Sequence, residues 1–324
     1  MLKRSKPIVL ALLVMALMLS SASFIGAQDV KILRTAYLPG DVIIDPALAT
    51  WNNEIQIINQ TYPGLTGFDE DTVEIQPGIA SDWTVSDDGL TYTFNLIPDI
   101  PWVHYDAEAG EVVQVTDEAG EVRVVTAQDV VYGINRTLDP ATGSQYAGTL
   151  APWIVGGLEK LAGEEVELAV SAPDTYTLEI SSPKAASFIP MIYGMWMSRP
   201  QPQWAIEQFG DAWTEPENYV SYGPFTVKEW EHDVQIVTVA YPDYAGDPKP
   251  KAGGITFQIY ADPNTAYNDL LAGNLDIVDA LPARAPGVGP SGAAPTQHPR
   301  QLLEHRYRSS YTKPFYDHGE LFGF

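Results

Sequence analysis

The residue types that could carry out chemistry are few and scattered in this sequence of 324 residues. Cysteine is absent. That removes disulfides, zinc thiolate sites and thiol nucleophiles together, and with them the residue a bacterial lipoprotein uses to carry its lipid. His104 and His232 are far apart, each beside a strand end or turn, and read as surface or packing residues rather than bases. Asp69-Glu70-Asp71 with Glu74 offers carboxylates, but without the glycine and ligand spacing of a calcium loop, so a solvated turn is expected there. No Gly-x-Ser-x-Gly elbow, no phosphate loop ending in Gly-Lys-Ser/Thr and no His-Glu-x-x-His helix occurs. The remaining signal is aromatic. Trp51, Trp102, Trp153, Trp196, Trp204, Trp213 and Trp230 are spread along the chain. Such rings give wide apolar contact with a polar handle, which suits sequence-tolerant ligand capture as well as core packing.

Charge and the N-terminus bound the setting. Lys3, Arg4 and Lys6 precede an apolar run from Ile8 to Leu19, and small residues follow up to Gly26-Ala27. That order predicts a cleaved secretory signal over residues 1–27, because twelve purely apolar residues are short against the roughly 20 a membrane span needs. Residues 28–282 hold 39 acidic against 10 basic side chains. An acidic body repels phosphate backbones, so nucleic acid is not expected as a partner. Residues 283–324 reverse the balance, with 3 acidic and 5 basic residues and three histidines.

The elements that would position the aromatic residues read as mixed α and β. A first strand is expected over Val30–Tyr37, then a Pro/Gly/Asp loop from Leu38 to Asp45-Pro46. A hairpin turns at Asp88-Gly89, after Trp83 and Val85, and its return strand alternates Leu90, Tyr92, Phe94 and Leu96 on a buried face. A second hairpin is expected from Val112–Thr116 to Val122–Val125. Further pairs are expected between Val166–Val170 and Tyr176–Ile180, and between Phe225–Trp230 and Val234–Val239. Thr126 and Asp129 form a capping box for a helix with Val131, Ile134 and Leu138 on one face, stopped by Pro140. A second helix starts at Asp262-Pro263, buries Ala266, Tyr267, Leu270 and Leu271, and ends at Gly273 before a strand Leu275–Val278. Helix, glycine stop and strand in that order predict an α/β unit.

Three stretches carry a resemblance to a known family. Gly78–Phe94 contains Ala80-Ser81-Asp82-Trp83 and Ser86-Asp87-Asp88-Gly89-Leu90-Thr91-Tyr92. Thr126–Tyr132 is followed by Arg136 and Leu138-Asp139-Pro140. Tyr222-Gly223-Pro224-Phe225 leads to Lys228-Glu229-Trp230, Asp243-Tyr244 and Leu275–Val278. In this order they resemble family 5 of the bacterial extracellular solute-binding proteins, the oligopeptide, dipeptide and nickel binders. The likeness is read from about Val30 to Asp279. One departure is a longer loop, Val103–Val125, before the Thr126 helix.

The resemblance implies an α/β fold of the periplasmic binding protein kind (type II, bilobed), with only the first lobe present. It implies base-subdomain segments at 28–62 and 200–282, with 63–199 inserted between them. It implies a non-enzymatic, monomeric substrate-binding component of an ABC importer, periplasmic or extracellular and without a cofactor. Such a component captures peptides and delivers them to permease subunits served by a separate ATPase. Oligosaccharide or nickel chelate are alternative ligands within the same fold. An extracellular enzyme or a structural surface protein are the rival classes. Ligand-facing positions carried over by the resemblance are Thr50, Trp51, Asn52, Tyr146, Met195, Trp196, Ser221 and Tyr222. Residues 283–324 are expected to be an aberrant low-complexity tail from a truncation or frameshift, since charge reversal, loss of periodicity and the end of the resemblance coincide near Leu281.

Overall fold

The computed structural model describes residues 31–37, 42–69, 71–246, 249–279 and 281–282. The expected signal segment, residues 38–41 of the expected loop and the expected aberrant tail lie outside the described residues. No helix among those described is long and apolar enough to cross a membrane.

Two four-stranded sheets organise the body. The first has the order β1-β12-β11-β10, with β1 Ile32–Tyr37, β10 Phe225–Glu231, β11 Gln235–Ala240 and β12 Gly254–Ile259. Strand β1 runs parallel to β12, and the other pairs are antiparallel. The second sheet has the order β4-β5-β9-β8, with β4 Ala80–Val85, β5 Thr91–Leu96, β8 Val170–Ser171 and β9 Thr177–Ser181. Two small hairpins complete the β structure: β2 Thr66–Phe68 with β3 Ile75–Pro77, and β6 Val103–Asp106 with β7 Glu111–Gln114. The helices considered below are α1 Asn52–Thr61, α2 Ala127–Leu138, α3 Ile189–Gly194 and α4 Pro263–Ala272, with other short helices and turns between them.

The Asp88-Gly89 hairpin forms as expected, with Gly89 at φ 74°. Tyr92, Phe94 and Leu96 are buried, while Leu90, at the turn, is only half-buried. Helix α2 carries the expected capping box. Asp129 Oδ2 accepts from the Thr126 N–H (2.8 Å) and hydroxyl (2.9 Å), and the Asp129 N–H returns to Thr126 Oγ1 (3.4 Å). Its buried face takes in Val130, Ile134 and Leu138, and the expected Val131 is half-buried, packed against the core from the edge of that face.

Four expectations are corrected. Strand β7, Glu111–Gln114, turns back onto Val103–Asp106 rather than pairing along its length with Val122–Val125, because Asp106 and Gly110 close an earlier turn. The Asp117–Gly120 turn exists, but it joins only a single Thr116–Val122 bridge. Residues 166–169 are not strand, so β8 begins at Val170. Leu275–Val278 contributes one parallel bridge, Ile277 beside Thr35, with the Ala36 N–H bonded to the Ile277 carbonyl at 3.1 Å. In α4, Asp262 caps the start and Gly273 (φ 79°) the end, and Ala266, Tyr267 and Leu270 are buried. Leu271, by contrast, is 59% exposed, lying off the face that packs on Ala36, Leu275 and Val278. Helix α1 and the short helices had no counterpart among the expected elements.

Candidate functional site

Helix α1 positions the first three carried-over residues. Its mean pattern is polar, but Ile57 and Ile58 are fully buried, which seats it against the body. The chain enters it through a loop fixed at both ends by buried carboxylates. Asp45 receives the Arg136 guanidinium in a bidentate pair, Nη1 at 2.8 Å and Nη2 at 2.6 Å, and also the Trp213 indole N–H at 3.0 Å. Gln201 Oε1 takes a further bond from Arg136 (2.7 Å), and Asp45 Oδ1 caps the turn at the Ala47 N–H (2.8 Å). Burial alone would lower the Arg136 pKa. The hydrogen bond and charge of Asp45 outweigh it, and the net shift is upward, so the Arg136 guanidinium stays charged.

Glu54 does the same work at the far end of the loop. Its carboxylate is buried and accepts from three backbone N–H groups: Ile43 (3.0 Å), Thr50 (2.7 Å) and Trp51 (2.9 Å). A carboxylate in the first helical turn also faces the positive end of the helix dipole. The result is a rigid entry that leaves the Trp51 side chain outside, 70% exposed, with Asn52 beside it. Neither Glu54 nor the Asp45–Arg136 pair was singled out from the sequence as a site component. A signal for Glu54 was present: a carboxylate three residues after the residue preceding a helix is the capping offset.

Trp196 ties this entry to the second group of residues. Its indole N–H donates to the Ala49 carbonyl at 3.0 Å, and its ring meets Tyr146 edge-on, centroids 4.7 Å apart at 70°. Thr50, Tyr146 and Met195 are half-buried. Six of the eight carried-over residues, Thr50, Trp51, Asn52, Tyr146, Met195 and Trp196, therefore fall into one connected patch. Trp196 is its buried strut, and the others have atoms at the surface.

Ser221 and Tyr222 do not join it. They meet the opposite end of α1, where the N–H groups of Tyr222 and Gly223 bond to the Thr61 carbonyl (3.2 and 2.9 Å). Asn52 and Thr61 are nine residues apart, about 14 Å along the helix axis. Ser221 is 0% and Tyr222 1% exposed. The Ser221 hydroxyl is bonded to Phe225 O (3.3 Å), and the Tyr222 hydroxyl to Pro63 O (2.9 Å). Tyr222 packs edge-on against Tyr62 and Trp102 at 5.3 and 5.0 Å. Both residues are thus corrected from ligand-facing to core positions. Burial drives the Tyr62 and Tyr222 phenols well above their ordinary pKa, so they remain neutral.

The patch offers aromatic rings, a thioether, a hydroxyl and an amide, and its one carboxylate, Glu54, is turned inward. Among the described residues no three His, Asp or Glu side chains converge as metal ligands. The Asp69 carboxylate is occupied within its own turn, by the N–H groups of Asp71 and Thr72 and the Thr72 hydroxyl. His104 lies within β6, and His232 reaches Glu215 at 3.2 Å.

Residues 74–295 match the bacterial extracellular solute-binding proteins, family 5 (middle). The chain belongs to that family. The match runs past Asp279, where the resemblance was expected to stop, so the family likeness ends inside the Pro/Gly/Ala segment rather than before it. The periplasmic oligopeptide-binding protein OppA of Escherichia coli is 29% identical over 239 residues, 73% of this chain and 40% of that protein. The structure of Burkholderia pseudomallei OppA matches with a TM-score of 0.68 and 28% identity, covering 79% of this chain and 47% of that one. Haemophilus influenzae OppA in complex with the peptide RPPGFSPFR matches at 26% identity and a TM-score of 0.67, again over 79% and 47% of the two chains. The fold is therefore the mixed α/β fold of these binding proteins over just under half of their length. The chain spans about 40% of the E. coli relative's length.

Proposed function

We propose that this chain belongs to the substrate-binding component of an ABC importer, one that captures peptides outside the cytoplasmic membrane and delivers them to permease subunits. The observation that carries the reading is the exposed Trp51, held at the head of α1 by Glu54 and joined through Trp196 to Tyr146 and Met195. An exposed tryptophan on a rigid, hydrogen-bonded mount is a contact surface rather than core, and a charge-free aromatic face accepts side chains of varied sequence. Thr50, Trp51, Asn52, Tyr146 and Met195 form one wall of the ligand site in this reading, with Trp196 positioning them. Family membership and the peptide-binding relatives support the ligand class.

The proposed division places the base in residues 28–62 and 200–282 and the inserted subdomain in 63–199. The separate sheets formed by β1 with β10–β12 and by β4, β5, β8 and β9 support it.

Calorimetric titration of the chain with a mixed peptide library tests the function. A site enclosed on both sides buries about 70–90% of its ligand. A single wall keeping roughly half of a micromolar binding energy, about −8.2 kcal/mol, would leave millimolar affinity near −4.1. Weak peptide binding lost in Trp51→Ala, at unchanged melting temperature, is the expected result. Equal binding by the Trp51→Ala chain would overturn the assignment of the wall.

A further inference from the structure

Helix α3 and the segment leading into it cover the apolar face of the second sheet, but only as far as its second strand. Tyr193 packs edge-on against Tyr92 and Phe94 of β5 at 5.8 and 6.2 Å, and the Tyr92 hydroxyl bonds to Ala186 O at 3.2 Å. Trp83 and Val85 of β4 stand directly opposite Phe94 and Tyr92, so they share that face. Beyond β5 the cover ends. An open groove of about 530 Å³ remains, lined by Ile75, Trp83, Val85, Tyr92, Ala186 and Pro190 among others. Gly89 and Ala185 also line it, so close together that a Cβ on Gly89 would stand 2.9 Å from that of Ala185. Val85 is 45% exposed.

The groove lies along a sheet edge that the chain itself meets only at its start, where the Ala80 N–H bonds to Leu65 O at 3.1 Å. Strand β4 is terminal in its sheet, with β5 its ladder partner among the described residues. The Ser86 N–H bonds to Thr91 O, which fixes the alternation of the antiparallel ladder. By that alternation the main-chain groups of Thr84 face β5, and those of Trp83 and Val85 face outward. Positions 83 and 85 thus combine main-chain donors and acceptors pointing out from the edge with side chains on the groove face.

Charge states what would fit. The opposite face of the edge carries Asp82 and Thr84, and the turn beyond it carries Asp87 and Asp88, all exposed. Lys184, the cation of the covering segment, is turned onto the Trp153 ring at 4.2 Å. A second copy pairing β4 with β4 would set these acids against one another.

We propose that the outer edge of β4 is a docking site for an extended segment of another protein that alternates apolar and basic residues. Its apolar side chains extend the Trp83–Val85 row over the groove. Its basic side chains lie on the other face, toward Asp82 and the Asp87-Asp88 turn. Main-chain bonds to Trp83 and Val85 supply register, and the groove supplies selectivity. This site is separate from the Trp51 patch and does not depend on the ligand proposed there.

The test uses the full chain and the labelled peptide Thr-Val-Lys-Val-Arg-Val-Thr, with a counterpart in which Glu replaces Lys and Arg. Hydrogen exchange should show protection over residues 81–86 with the basic peptide and none with the acidic one. Val85→Pro removes an outward N–H while sparing the bonds to β5, and edge positions tolerate proline. It should weaken binding at least tenfold. Protection at residues 49–53 instead of 81–86, equal protection by both peptides, or unaltered binding by Val85→Pro overturns the proposal. So does protection of 81–86 that rises with protein concentration alone, which would make the edge a self-association surface.

Discussion

At one end of α1 an aromatic side chain, Trp51, lies open to solvent. At the other, Tyr62 is enclosed by Trp102, Trp213, Tyr219 and Tyr222 at centroid distances of 5.3–6.4 Å. The residue types are alike, and what differs is the fate of their polar atoms. At the enclosed end the Tyr62 hydroxyl bonds to Val220 O, that of Tyr219 to Thr61 Oγ1 (2.8 Å) and that of Tyr222 to Pro63 O. These bonds let phenols sit where no water reaches. At the open end the hydrogen bonds belong to the main chain, gathered by Glu54, and the indole ring is left free of the core.

Truncation separates the two ends most sharply. Tyr222→Ala should cost about 3–5 kcal/mol, the usual range for a large aromatic removed from a core, read as a fall in the urea midpoint. The mount is next. Glu54→Gln keeps the shape but weakens three charge-assisted bonds, and a loss of about 2 kcal/mol is expected together with weaker peptide binding. Peptide affinity unchanged in a destabilised Glu54→Gln chain would show that the mount does not organise the wall.

A pH titration reaches the enclosed region through Asp129, whose pKa burial raises from 3.8 to about 6 against the opposing Thr126 bonds. The folded state then binds this proton more tightly than the unfolded chain. Its contribution is complete below pH 3.8 and is lost as pH rises through about 6. Asp279 shifts in the same direction, also to about 6, and adds to the same window. Urea midpoints should therefore carry a declining component between pH 4 and 6, on the order of 1 kcal/mol after discounting for partial solvent access. Asp129→Asn should flatten part of it. The smallest stability change is expected at the open end, where Trp51→Ala should stay within about 0.5 kcal/mol.

Local signals predicted local structure well. Asp88-Gly89 with its alternating return strand, the Thr126–Asp129 box, and Asp262 with Gly273 each act within a few residues, and each is found. Helix α1 was not legible because Asn52, Asn53, Gln56, Asn59 and Gln60 give it a polar reading. Tertiary seating of Ile57 and Ile58 decides it instead. The patch was partly legible, since the aromatic positions came from the family resemblance. Its supports were not, because Asp45 and Arg136 are 91 residues apart and Ala49 and Trp196 are 147 apart. Ser221 and Tyr222 show the converse: a motif can preserve a turn and a core contact while contributing nothing to the surface.

The placement of β1 sets a clock on assembly. Its sheet neighbours among the described residues are β12 and Ile277, and Arg34 bonds to Asp276 across 242 residues of chain. During synthesis β1 emerges well before its partners, and β12 is not begun until residue 254 is made. At roughly 5–20 residues per second, the intervening chain takes on the order of 10–40 s to appear. Contacts of such long range also slow folding of the finished chain. This strand is made early and paired late, which keeps the nascent body from locking prematurely.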